Sequence, residues 1–185
     1  MAIKKDTEYV LLFEKYKKLV QNQIPIETIP ANETLLLQGK ISHYLYFIKK
    51  GALRLWHNDG DKDVTVQFFF ENQMVSAFES LFLDTESLYS IESMEKTTVY
   101  KLDKQSIFKL MENTPEFQRD VLTFVCERFI AYQHYFLSRI KDSPEARYRD
   151  LVQHQPQIVE RVSQHYIASY LGITPVSLSR IKNRQ

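Results

Sequence analysis

Ser177, Ser179, Arg180, Lys182, Asn183 and Arg184 crowd the C-terminal end of the 185-residue chain, interleaved with Leu178 and Ile181. At helical spacing the two apolar residues fall to one side, and the hydroxyl, amide, ammonium and guanidinium groups to the other. Such a face presents hydrogen-bond donors to anions and to base edges. Arg180 suits the bidentate pairing of a guanidinium with O6 and N7 of guanine. Ser177, Ser179, Lys182 and Arg184 suit phosphate oxygens, as do Gln164 and His165 a little earlier in the chain. Pro175 and Val176 add apolar surface of the kind that meets a thymine methyl.

The elements that must position these groups are legible beside them. Ser163 can cap a short helix that runs to Leu171, Gly172 permits a sharp reversal, and Thr174 caps a second helix. Pro175 follows at the first helical position, where its missing N–H costs nothing. Ile167, Leu171, Ile173, Leu178 and Ile181 can close a small core between the two helices, and Ala168 is small where they must approach. This is the helix-turn-helix design, whose second helix enters the DNA major groove. The rival reading of the same residues is a helical hairpin with a solvated polar face.

Charge divides in the same sense. Residues 1–138 hold 16 Lys/Arg against 19 Asp/Glu and residues 139–185 hold 8 against 4, so an acidic body carries a basic end. With 44% hydrophobic and 25% charged residues, the chain is globular rather than disordered. Apolar runs such as Val66–Phe70 are far too short to cross a bilayer, and the start lacks the apolar stretch of a secretory signal. One cysteine, Cys126, forms no internal disulfide and reads as a buried structural thiol. The expected location is the cytoplasm.

Thr7 to Gln21 reads as an amphipathic helix. From about Ile26 to Leu102 the period becomes that of strands, in Thr34–Gln38, Tyr44–Ile48, Ala52–Trp56, Val64–Phe68 and Thr97–Tyr100, with turns at Gly39, Gly51 and Gly60. Many short strands in so few residues favour a barrel or jelly roll. One helical turn interrupts them near Ala77–Phe82. Asp103 is a plausible N-cap for a short helix, and Pro115 opens a long one reaching about Lys141, about 39 Å at 1.5 Å per residue. Its apolar set, including Val121, Leu122, Val125, Phe129, Tyr132 and Phe136, is wider than one contact needs, which points to a dimer seam. The fold class is therefore α+β. Residues 1–114 form the barrel with flanking helices, 115–141 the dimerisation helix, and 142–185 an all-α helix-turn-helix domain.

Tyr44–Gly51, the long helix after Pro115, and Ile167–Thr174 leading into Leu178–Ile181 together resemble the Crp/Fnr superfamily of bacterial transcription regulators over nearly the whole chain. The resemblance implies a cyclic-nucleotide-binding-type barrel, a homodimer, a near-palindromic site in double-stranded DNA, and RNA polymerase as a further partner. It also exposes a departure. Members that bind cyclic nucleotides carry a Gly-Glu pair followed by an Arg that neutralises the cyclic phosphate. This chain has Ser76-Ala77, has Ser87 near the expected Arg, and contains no Lys or Arg from 72 to 95. Cyclic AMP is therefore not expected to bind in that manner. For Ser76, Phe78, Phe82, Ser87 and Tyr89 two readings stay open, a pocket for an apolar or aromatic effector and plain core packing. The family also adds a β-hairpin wing after its second helix, whereas the sequence here ends at Gln185, so that wing is either absent or cut off. No cofactor or metal is expected. His43 and His57 lack a third ligand for a cupin-type metalloenzyme, and no nucleophile–base arrangement is recognisable. The remaining rival is a small-molecule sensor that uses its helix pair for protein contacts.

Overall fold

Alternation in the strand region folds into two antiparallel four-stranded sheets that face each other. The computed structural model describes residues 24–184; the expected helix over Thr7–Gln21 lies outside them. Strands β1 (Ile26–Ile29), β8 (Thr97–Asp103), β3 (Tyr44–Lys50) and β6 (Met74–Val75) pair in that order in one sheet. The other sheet runs β2 (Thr34–Leu36), β7 (Ser90–Ser93), β4 (Leu53–Asn58) and β5 (Asp63–Phe69). Ile29, Ile48, Leu53, Leu55, Phe69, Val75, Ile91 and Val99 fill the space between the sheets. The β3–β4 turn needs glycine. At Gly51 φ is +103°, and an added Cβ would stand 2.7 Å from the Thr97 backbone.

Helix α1 (Phe78–Leu83) interrupts the sandwich, and α2 (Lys104–Asn113) follows it, capped by the Asp103 carboxylate on the Ser106 N–H. Helix α3 (Pro115–Lys141) comes next, then α4 (Pro144–His154), α5 (Pro156–Arg161), α6 (Gln164–Leu171) and α7 (Pro175–Lys182). Ser143 caps α4 through the Ala146 N–H, with Pro144 in the first turn. No helix among the described residues is long and apolar enough to cross a membrane.

No residue of α3 is fully buried, because the helix has two apolar stripes and only one is covered. Phe117, Val121, Phe124, Arg128 and Tyr135 are half-buried on one side. Leu122, Val125, Phe129, Tyr132, Phe136 and Ile140 recur every three or four residues on another and are 45–69% exposed. Val121, expected with the dimer set, lies on the half-buried stripe. One expectation is corrected here. Cys126, expected to be buried, is exposed, because its place on the helix turns it away from the half-buried stripe.

Residues on both sides of Lys141 share one cluster. Tyr148, Leu151, Ile158, Val162, Ile167, Leu171 and Leu178 form one cluster with Ala52, Phe68 and Phe70 on the outer face of the second sheet. The terminal helices are thus packed directly onto the sandwich.

Candidate functional site

The two C-terminal helices are held by local chemistry at both ends. The Ser163 hydroxyl accepts from the Tyr166 N–H, and the Thr174 hydroxyl accepts from the Ser177 N–H at 3.1 Å. Between them Gly172 takes φ +67°, while the Ile173 N–H reaches back to the Ala168 carbonyl, a Schellman closure that suits glycine. Leu178, Ile167, Ala168 and Leu171 are buried between the helices, with Ile173 and Ile181 packed beside them.

The opposite face of α7 is open. Thr174, Pro175, Val176, Ser179, Arg180, Asn183 and Arg184 are exposed, Ser177 and Lys182 half-buried, and Val176 is 61% exposed. Gln164 and His165 are exposed at the start of α6. The Arg180, Lys182 and Arg184 side chains form no ion pair with any described residue. Two cations on α7 and a third just past its end are thus unneutralised by any described residue, with donors beside them.

The five candidate pocket residues do not converge. Helical periodicity turns Ser80 and Leu81 of α1 inward, while Phe78 and Phe82 point outward. Their rings stack at 6.4 Å, and Phe82 meets Phe108 of α2 edge-on at 5.8 Å. Ser76 is buried and donates to the Tyr44 carbonyl at 2.9 Å, and Ser87 donates to the Tyr89 carbonyl at 2.7 Å. Tyr89 packs beside the inner core. A shallow cleft of about 300 Å³ opens elsewhere, lined by Leu37, Gln38, Trp56, Asn58, Gly60 and Ser90. His57 Nδ1 lies 2.7 Å from the Leu88 carbonyl, and no group of three or more His, Cys, Asp or Glu side chains converges among the described residues.

Comparison with known proteins bears on the sandwich first. Residues 26–114 match the family of the cyclic nucleotide-binding domain. The sandwich is thus similar to a cyclic nucleotide-binding domain. No curated protein matches the sequence. Solved structures resemble the domain together with the helices after it. A protein from Eubacterium rectale assigned to the Crp/Fnr transcriptional regulators is 16% identical, with TM-score 0.73, covering 96% of this chain and 87% of its own. FixK2 from Bradyrhizobium japonicum is 14% identical, with TM-score 0.72, covering 87% and 83%. The catabolite activator protein of Thermus thermophilus is 18% identical, with TM-score 0.58, covering 94% and 85%. The chain therefore shares the fold of these structures, a sandwich of the cyclic nucleotide-binding type followed by a long helix and further helices.

One group of residues escaped the sequence reading. Arg54, near the start of β4, is 1% exposed on the outer face of the domain. Its Nε donates to Glu92 at 2.9 Å, Nη2 to Asp63 at 3.3 Å and Nη1 to Thr65 at 3.3 Å, and its guanidinium lies 3.7 Å from the centre of the Tyr166 ring on α6. Arg161 of α5 adds a second tie, pairing with Glu71 at 2.7 Å and with Glu95. Burial alone would raise the Glu71 carboxyl, but the Arg161 hydrogen bonds and the Gly51 N–H outweigh it and bring the pKa down to about 2. The available signal was an arginine among apolar strand residues with acids in the neighbouring strands, legible only once Glu92 is known to pair opposite Arg54.

Proposed function

We propose that the chain is a homodimeric, sequence-specific DNA-binding regulator of transcription, working in the cytoplasm. The carrying observation is the face of α7, where Arg180 is exposed and forms no ion pair with a described residue, on a helix whose caps and turn are fixed. In this reading Arg180 pairs with a guanine edge and Val176 and Pro175 meet a thymine methyl. Ser177, Ser179, Lys182, Asn183 and Arg184, with Gln164 and His165, hold phosphates or flanking donors. The exposed stripe of α3 supports the dimer, since from Leu122 to Phe136 its spacing alternates three and four as in a coiled-coil seam. Two copies present two reading helices about 34 Å apart, so the site is a near-palindrome.

The cyclic nucleotide-binding domain serves, in this reading, as a sensor that does not take cyclic AMP in the usual manner. Ser87 stands near the position of the expected cation, and its hydroxyl is already bonded to the Tyr89 backbone. The test is titration of the full chain against duplex DNA over a range of salt. Affinity falls steeply with added salt as phosphate neutralisation releases counterions. Arg180→Ala loses about 1–3 kcal/mol on the best site and relaxes the preference at one base position. Unchanged sequence preference in that variant overturns the assignment.

A further inference from the structure

The first helix of the pair is gripped by the domain beneath it. Tyr166, Ser169 and Tyr170 lie on one face of α6, a turn apart, and all three meet the second sheet or α3. Tyr166 covers the Arg54 guanidinium. The Ser169 hydroxyl donates to the Asp63 carbonyl and accepts from the Thr65 N–H at 2.9 Å. The Tyr170 ring packs 5.2 Å from Phe68 and stacks 5.6 Å from Tyr135 of α3. None of these contacts covers the exposed face of α7.

Apolar contact between Phe68, Phe70 and the terminal helices holds the two bodies together, but it is non-directional and tolerates sliding or rotation. A buried guanidinium behaves differently. It fixes the Glu92, Asp63 and Thr65 oxygens around one plane, and its face admits a ring at one place. Burying that charge is costly, and a buried ion pair is weak evidence for stability; what such a group supplies best is a single geometry.

We propose that Arg54 is a positioning residue. Acting through Tyr166, and seconded by Ser169, it sets the angle at which the helix pair leaves the cyclic nucleotide-binding domain. In a dimer that angle determines the separation of the two reading helices, so the spacer between half-sites is specified by β4 and α6, while the bases are specified by α7. The proposal rests on the DNA-binding reading above. Two extra base pairs move one half-site by about 7 Å and turn it by about 70°, which a rigidly held helix pair cannot follow.

The experiment measures affinity of the full chain for duplexes with constant half-sites and spacers lengthened or shortened by one or two base pairs. The wild type prefers one spacer by about tenfold or more over those two base pairs away. Arg54→Leu strands Glu92 and is a hazard to folding. The double variant Tyr166→Leu/Ser169→Ala therefore accompanies it, leaving the Arg54–Glu92 pair intact, with circular dichroism and sedimentation confirming folded dimers. Both variants flatten the spacer preference to about threefold or less while keeping the half-site preference of the wild type. A folded variant that keeps the wild-type spacer preference overturns the proposal. So does one that loses half-site preference together with spacer preference, or a specific wild type indifferent to spacing. A wild type that binds no duplex above the non-specific level sinks the DNA-binding reading itself, and shows that without any variant.

Discussion

Two serine-bearing regions of this chain put their polar groups to opposite uses. Around α1, polar groups are consumed internally. Ser42 donates its N–H to Ser80 at 2.8 Å, Ser80 donates to the Thr85 carbonyl, Ser42 and Ser76 share a 3.2 Å contact, and Ser87 binds the Tyr89 backbone. On α7, Ser179, Arg180, Asn183 and Arg184 are exposed, and the cations carry no ion pair with a described residue. Buried polar groups that satisfy one another stiffen the region that holds them and spend those hydroxyls internally. Exposed donors on a capped helix cost little to maintain and are free to exchange water for a partner. Around α1 the serine hydroxyls are thus engaged within the protein, whereas on the last helix they stand beside exposed cations.

In the proposed dimer the reading helix is presented twice, so the largest effect comes from the seam proposed on α3. Replacing Leu122 and Phe129 together with Glu places like charges opposite each other in a two-fold interface. The pair of variants yields monomers by sedimentation and lowers affinity for a palindromic duplex by about 100-fold or more. Dimers that bind as before would remove α3 from the account.

An intermediate effect concerns the tie between the sandwich and the terminal helices. Glu71 has a folded pKa of about 2 against an ordinary 4.5, so its contribution is complete above the ordinary value and fades as pH falls toward the folded one. Denaturant melts of the wild type and Glu71→Gln differ by on the order of 1–2 kcal/mol at neutral pH, after allowance for solvent screening at a partly exposed pair. That difference shrinks below about pH 4. A difference independent of pH contradicts the pairing with Arg161.

The smallest effect tests the region around α1. A ligand at 100 times its dissociation constant adds about 2.7 kcal/mol of stability, several degrees in melting temperature. Millimolar cyclic AMP moves the melting temperature by less than about 1 °C. A shift of several degrees would show that a cation from outside residues 72–95 serves the phosphate.

Local signals were readable where one residue decides one geometry. Ser163, Thr174 and Ser143 cap the helices expected of them, Gly172 turns the chain, and α3 spans Pro115–Lys141. Strand β7 was not readable. Ser90-Ile91-Glu92-Ser93 has poor strand propensity, yet it is central, paired to β2 and β4, with its serines bonded to neighbouring backbone. The direction taken by the aromatic residues of α1 was not readable either. Their composition suggests a lining, but the helix turns Phe78 and Phe82 outward toward Phe108. Arg54 and its partners were hidden because their meeting spans strands and helices far apart in sequence.

The most direct test is selection of bound sites from random duplex DNA by the full chain. The account predicts enrichment of two inverted half-sites with centres about 34 Å apart, or a multiple of it, each with a guanine that Arg180→Ala no longer selects. Enrichment no better than that of an unselected pool would contradict it.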